Sequence, residues 1–286
     1  MLIVLLCLFA SGDEAETLRL LREKGAKIVE KDGAATSVEA GDVSKWTDDD
    51  FRRLGQLSRL KTLSVGAGLS DTTLPLLAGL SELEVLQTNL SRMTDEGTKA
   101  LLPLKKLKNL KLFHPDKSFT GAGLAHLAEL PDLERLTVAG SLAFGDDGMS
   151  AVAKLVRLKE FRTWHAGQTL EGVKKLKELK NLKSLTLGQR LAYKPPCTVS
   201  DETIAVLAEL ASLESLQLEE ARLSFDALKQ LKQLPALKTL ILQGIDIAEA
   251  DVERLRADLP KAELKWTKPS ETYLKRINAL FGVKQG

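Results

Sequence analysis

Leucines recur along most of this chain at a spacing of three, and at regular intervals the spacing shortens to two. In SFTGAGLAHLAELPDLERLTV (118–138), Leu124, Leu127, Leu130, Leu133 and Leu136 keep the first spacing and Val138 takes the second, with Pro131 between. A spacing of three to four gathers side chains on one side of a helix, whereas a spacing of two gathers them on one face of a strand. The segment therefore predicts a helix, a corner and a short strand. The same phrase returns as DDDFRRLGQLSRLKTLSV, DTTLPLLAGLSELEVLQT, DDGMSAVAKLVRLKEFRT, DETIAVLAELASLESLQL and other copies. The first residue of each LxL pair falls at Leu63, Leu86, Leu110, Leu136, Phe161, Leu185, Leu216, Leu240 and Leu264, so successive copies lie 23, 24, 26, 25, 24, 31, 24 and 24 residues apart. Val38 lies 25 residues before Leu63 and is the candidate marker of a degenerate first strand.

A period of this kind specifies a stack of like units, each burying its leucine row against its neighbours while the strands pair in parallel. Ser70-Asp71, Thr94-Asp95 and Ser200-Asp201 are expected to open the helices, since such residues satisfy the free N–H groups of a first turn and the carboxylate suits the helix dipole. Pro131 and Pro235 occupy the same corner in two copies, where a missing N–H is tolerated. Helices are wider than strands, so the expected architecture is an α/β curved solenoid, a horseshoe with a parallel concave sheet and helices on the convex side.

Residues 46–267 resemble the leucine-rich repeat family through their LxxLxxLxL core. The Asn or Cys that commonly follows the strand is missing, the corresponding stretches reading VGAGL, TNLSRM, VAGSL, LGQRL and LEEARL. The phrasing is most similar to a bacterial, planctomycete-type subtype related to GALA and ribonuclease-inhibitor-like repeats, and AEADVERLRADLPKAELKW resembles a closing repeat of such proteins. The resemblance implies a non-catalytic scaffold without cofactors, binding a protein or peptide on its concave face.

The flanks read differently. Residues 1–12 (MLIVLLCLFASG) are too short to span a bilayer and fit a signal peptide, which makes export to the periplasm or beyond the expectation; a buried first strand in a cytoplasmic protein is the alternative. Residues 13–45 read as a capping helix and a hairpin around Asp32-Gly33, and 268–286 as a tail helix that either folds back as a cap or docks a partner. Between them lie about eight to nine repeats. A net charge of +2 gives no electrostatic case for a nucleic-acid partner, and Cys7 and Cys197 are too few for a disulfide framework. A monomer without a stable membrane span is expected.

Catalytic motifs are missing: there is no HExxH, glycine-rich phosphate loop or GxSxG, and the three histidines, His114, His126 and His165, have no context tying them to Cys197. Acidic pairs such as Asp146-Asp147 fit helix capping better than metal binding. The residue three after each marker points away from the core. It forms the column Gly66, Asn89, Phe113, Ala139, Trp164, Gly188, Glu219, Gln243, followed by Ala67, Leu90, His114, Gly140, His165, Gln189. Phe113-His114 and Trp164-His165 would thus flank the small pair Ala139-Gly140. With Lys111, Arg135 and Arg162 alongside, they form a candidate aromatic and basic contact patch, a composition favoured at binding hot spots. The longer spacing before Leu216 marks an insertion whose Tyr193 and Lys194 form a candidate binding loop beside that patch. Two alternatives remain open: small-ligand or glycan binding at the aromatic slot, and substrate recognition within a ubiquitin-ligase-like complex, although residues 1–45 hold no F-box-like segment.

Overall fold

A computed structural model describes residues 14–190 and 195–282. The expected leader 1–12 and the loop residues Tyr193 and Lys194 lie outside the described residues. The described residues form two compact units, one running to Phe119 with His126–Leu133, the other made of Thr120–Ala125 and the described residues from Glu134 on.

In the first unit, residues 14–23 are helical (α1), followed by β1 (Lys27–Lys31) and β2 (Ala34–Asp42). These two strands pair antiparallel across Asp32 and Gly33, whose φ angles of 51° and 73° are those a tight hairpin turn requires. Helix α2 (Asp48–Gly55) leads into β3 (Thr62–Ala67), β4 (Val85–Asn89) and β5 (Asn109–Phe113), and β2 to β5 pair in parallel. The markers are in register, Val38 opposite Leu63, Leu63 opposite Leu86, and Leu86 opposite Leu110, and all four are buried.

The second unit repeats the scheme with β6 (Arg135–Ala139), α3 (Asp146–Val152), β7 (Glu160–Trp164), α4 (Leu170–Lys174), β8 (Ser184–Leu187) and α5 (Asp201–Leu207). It continues with β9 (Ser215–Glu219), α6 (Phe225–Leu228), β10 (Thr239–Gln243), α7 (Glu249–Asp258), β11 (Glu263–Thr267) and α8 (Glu271–Phe281). Here Leu136, Phe161, Leu185, Leu216, Leu240 and Leu264 stand opposite one another in one buried row. Stacking identical apolar positions in this way removes from water a surface that no single repeat could cover.

Two expectations about the connections need correction. Leu74–Leu77, Glu96–Leu101 and Ala122–Glu129 are 3-10 rather than α-helical. The reason lies in the leucine spacing: a turn of three residues keeps positions i and i+3 eclipsed on one face, whereas an α-helix rotates them out of line. The acids at the connection starts also act differently from simple caps. Asp71 accepts hydrogen bonds from the Thr94 N–H (2.9 Å) and hydroxyl (2.6 Å), 23 residues on. Asp146 accepts from the Thr169 N–H (2.8 Å), the Thr169 hydroxyl (2.8 Å) and the Gly172 N–H (3.0 Å), and Asp201 from the Ser224 N–H (2.9 Å). Each carboxylate therefore latches one repeat to the next. Thr169 and Ser224 in turn cap their own helices, accepting from the N–H groups of Glu171 and Ala227.

The tail helix α8 is held by its own chain. Ile277 and Leu280 are buried, and Arg222 donates to Asp246 (2.6 Å), to Asn278 Oδ1 (2.7 Å) and to the Gly282 carbonyl (2.7 Å).

Candidate functional site

The backbone prepares the C-terminal ends of the strands for display. The residue just after the strand takes a left-handed conformation in copy after copy: Leu90 (φ 54°), His114 (45°), Gly140 (74°), His165 (50°), Glu220 (56°) and Gly244 (61°). Their N–H groups extend the parallel ladder by one bond, from Leu90 to the Phe113 carbonyl, from Gly140 to Trp164, from His165 to Gln189, from Glu220 to Gln243 and from Gly244 to Thr267. Non-glycine residues occupy this region at a cost of about 1 kcal/mol. His165 and Glu220 hold it while bonded to each other, the imidazole Nε2–H donating to Glu220 Oε1 at 3.1 Å across two repeats. Glu220 is only 5% exposed, and the Arg276 guanidinium of α8 stands 4.0 Å from its other oxygen.

Beside this pair lies the aromatic member of the second unit. Trp164 ends β7, half-buried, with the Arg162 guanidinium 5.5 Å from its ring centroid, a cation–π contact. The Arg162 Nε is enclosed and has no hydrogen-bond partner among the described residues. On the next repeat stands Gly188, where a Cβ would come 2.5 Å from the Trp164 Cβ and 3.4 Å from Glu219 Oε2. The missing side chain lets the Trp164 Cβ and the Glu219 carboxylate approach the same glycine. Glu219 Oε1 accepts from Gln217 Nε2 at 2.6 Å, and the same amide nitrogen bonds Gln243 Oε1 at 3.1 Å. Burial pushes the Glu219 carboxyl above its ordinary value; the charge of Glu220 adds to the rise, while the Gln217 bond and the charges of His165 and Arg162 oppose it.

The candidate patch residues are thus distributed between the units. Arg162, Trp164 and His165 are brought together on β7. Arg135 is not among them: it is exposed at the opposite end of β6, four residues before Ala139, the in-register partner of Trp164, and so about 13 Å away along the strand. Lys111, Phe113 and His114 belong to the first unit, where His114 is exposed and its Nδ1–H donates to Asn89 Oδ1 at 3.0 Å. The small position Ala139 is 2% exposed, so the residue expected to floor an open gap is covered. Gln189, placed by register in the outward column, turns inward instead. It is buried, with Oε1 accepting from the Thr198 N–H (3.0 Å), and it staples the described part of the insertion to β8. Sequence reasoning passed over Gln217, Glu219 and Glu220, although the register already placed Glu219 in the column of Trp164.

The remaining reactive groups are engaged elsewhere. His126 Nδ1 and Thr98 Oγ1 lie 3.0 Å apart, and burial pushes the Cys197 thiol up, away from the nucleophilic thiolate. Among the described residues no group of three or more His, Cys, Asp or Glu side chains could hold a metal ion, and no helix is long and apolar enough to cross a membrane. The N-terminal ends of the strands carry a different pattern. Glu84 lies between Lys61 (3.5 Å) and Lys108 (2.9 Å), Glu134 pairs with Lys159 (2.6 Å), and Glu214 lies between Lys183 (2.9 Å) and Lys238 (2.6 Å).

No family model matches the sequence, and no curated protein matches it. Among solved structures, the chain is similar to the leucine-rich repeat protein LIC12759 of Leptospira interrogans, at 20% identity and a TM-score of 0.43, covering 75% of this chain and 62% of that one. It is also similar to the leucine-rich repeat ectodomain of the Arabidopsis receptor kinase HAESA, solved in complex with an N-terminally extended IDA peptide hormone ligand. That match has 14% identity and a TM-score of 0.52, covering 91% of this chain and 45% of that one. The chain spans less than two thirds of the length of either neighbour. Likeness at this identity speaks for fold alone, and with the repeat register it gives the chain an α/β leucine-rich repeat fold.

Proposed function

We propose that this protein is a non-catalytic recognition module that binds a protein or peptide on the helix-free face of its repeat strands. The observation that carries this reading is the row at the C-terminal ends of β7 to β10, where Trp164, Arg162, Glu219 and Gln243 offer aromatic, cationic, anionic and amide contacts side by side. Aromatic and arginine side chains of this kind dominate binding energetics, and parallel strands hold them at fixed separations. A protein of the same fold, the HAESA ectodomain, was solved with a peptide ligand, which agrees with this reading. We further propose that Lys111, Phe113 and His114 form a second contact row on the first unit. The protein acts as an exported monomer of the bacterial subtype that its repeats resemble, the run 1–12 serving as leader.

The test is selection of a phage-displayed random dodecapeptide library on the immobilised full chain. Enriched peptides are then titrated against the wild type and Trp164→Ala. Peptides are expected to enrich and to lose about tenfold or more in affinity on Trp164→Ala. Failure to enrich any peptide, or equal binding to both proteins, removes the reading.

A further inference from the structure

Glu219 stands out from the other charged groups of the second unit. One oxygen is fixed by Gln217, while Oε2 has no hydrogen-bond partner and the carboxylate has no ion-pair partner among the described residues. The charges that face it are all committed to other groups. Arg162 of β7 lies over the Trp164 ring, His165 of β7 bonds Glu220, and Arg276 of α8 also approaches Glu220. Glu219 and Glu220 are adjacent in the chain, so negative charge is concentrated here, and the charges of Arg162 and His165 that act on Glu219 stop short of an ion pair with it. At Gly188, the unpartnered oxygen and the Trp164 Cβ both border the place a side chain would take, at 3.4 Å and 2.5 Å. A half-buried carboxylate costs free energy unless a cation or donors compensate it, and an aromatic ring beside it favours a cation further.

We propose that Trp164 and Glu219 form a receptor for one cationic side chain, lysine or arginine, of a bound peptide, with Glu219 Oε2 as its counter-ion. This rests on the peptide-binding reading above and names the chemistry that its partner must carry. Gln217 orients the carboxylate through Oε1 and leaves Oε2 for the guest, and Gly188 lets Trp164 and the acid approach the same position. Because burial raises the Glu219 carboxyl, its charge, and with it affinity for the cation, is lost as pH falls through that raised value.

The peptides selected above provide the probe. They are resynthesised with arginine, lysine or glutamine at any enriched basic position and titrated against the wild type, Trp164→Ala and Glu219→Gln. The expected result is an enriched basic position, and loss of about tenfold or more in affinity both on its replacement by glutamine and on Glu219→Gln. The arginine and lysine peptides show which cation is preferred. Glu219→Gln keeps the side-chain volume and the four facing charges of Arg162, His165, Glu220 and Arg276. Its melting temperature should match or exceed that of the wild type, and the difference between the two proteins across pH isolates the part due to Glu219. Peptides that need Trp164 but show no basic preference, or that bind Glu219→Gln as tightly as the wild type, overturn the cation receptor and leave the peptide-binding face standing. Peptides indifferent to Trp164, or no enrichment at all, overturn both.

Discussion

Glu214 and Glu219 are five residues apart on one repeat, at opposite ends of β9, and their surroundings push them in opposite directions. Glu214 is flanked by Lys183 and Lys238, whose hydrogen bonds and charges lower its carboxyl to about 2. Glu219 is enclosed beside Trp164 and Gly188 without an ion-pair partner among the described residues, and burial raises it. The N-terminal ends of the strands neutralise themselves, because lysine and glutamate from successive repeats meet there. At the C-terminal ends polar groups are gathered with their requirements less fully met, which is the condition under which a surface gains by taking a partner.

The largest expected difference between the two ends concerns Glu220. Replacing it with Ala removes a buried carboxylate from His165 and leaves a side chain in a left-handed backbone, and should cost about 2 kcal/mol in urea denaturation. Glu214→Ala, at an exposed lysine cluster, should leave the midpoint close to that of the wild type. Equal losses would erase the distinction between the ends. Next comes Gly188→Ala, whose Cβ would press on Trp164; about 1–2 kcal/mol of destabilisation is expected, with a change in near-ultraviolet circular dichroism. An unperturbed spectrum would mean that Trp164 does not pack against this glycine.

Smaller effects appear against pH. The lowered Glu214 carboxyl contributes stability that is present above the ordinary glutamate value of 4.5 and is lost as pH falls toward about 2. The raised Glu219 carboxyl acts with the opposite sign: its cost is absent below 4.5 and grows as pH rises through the raised value. Denaturation of wild type, Glu214→Gln and Glu219→Gln across this range should give difference curves of opposite slope; slopes of the same sign would show that the two carboxyls share one environment. The smallest effect is that of salt. At about 1 M sodium chloride, where screening acts within about 3 Å, the Glu214 difference should fade while that of Glu219 persists.

The strands were legible because burial acts on single residues: every LxL marker that reads as inward is inward, and the in-register rows follow from the period. The connections were less so. A leucine spacing of three suits a 3-10 turn as well as an α-helix, and a helix-type expectation misjudged Leu74–Leu77 and Glu96–Leu101. The acids were legible only in part: Asp146 and Asp201 do stand in first helical turns, but they and Asp71 find their donors one repeat away, beyond any local motif. At the candidate site, register alone placed Trp164 and Glu219 in one column. It could not show that Gln189 turns inward, because that depends on a staple to the insertion. Nor could it show that Glu220 is enclosed, because its companions come from β7 and α8.

The aspartate latches also bear on how such a chain can change in length. Asp71 to Thr94, Asp146 to Thr169 and Asp201 to Ser224 each span the same 23 residues. A deletion or duplication that begins and ends at equivalent latch positions hands the acid a fresh hydroxyl or amide of the same kind, whereas one offset by a few residues strands it. Whole repeats are therefore the units in which this molecule could be shortened, lengthened or spliced to a relative, with each latch serving as a ready-made seam.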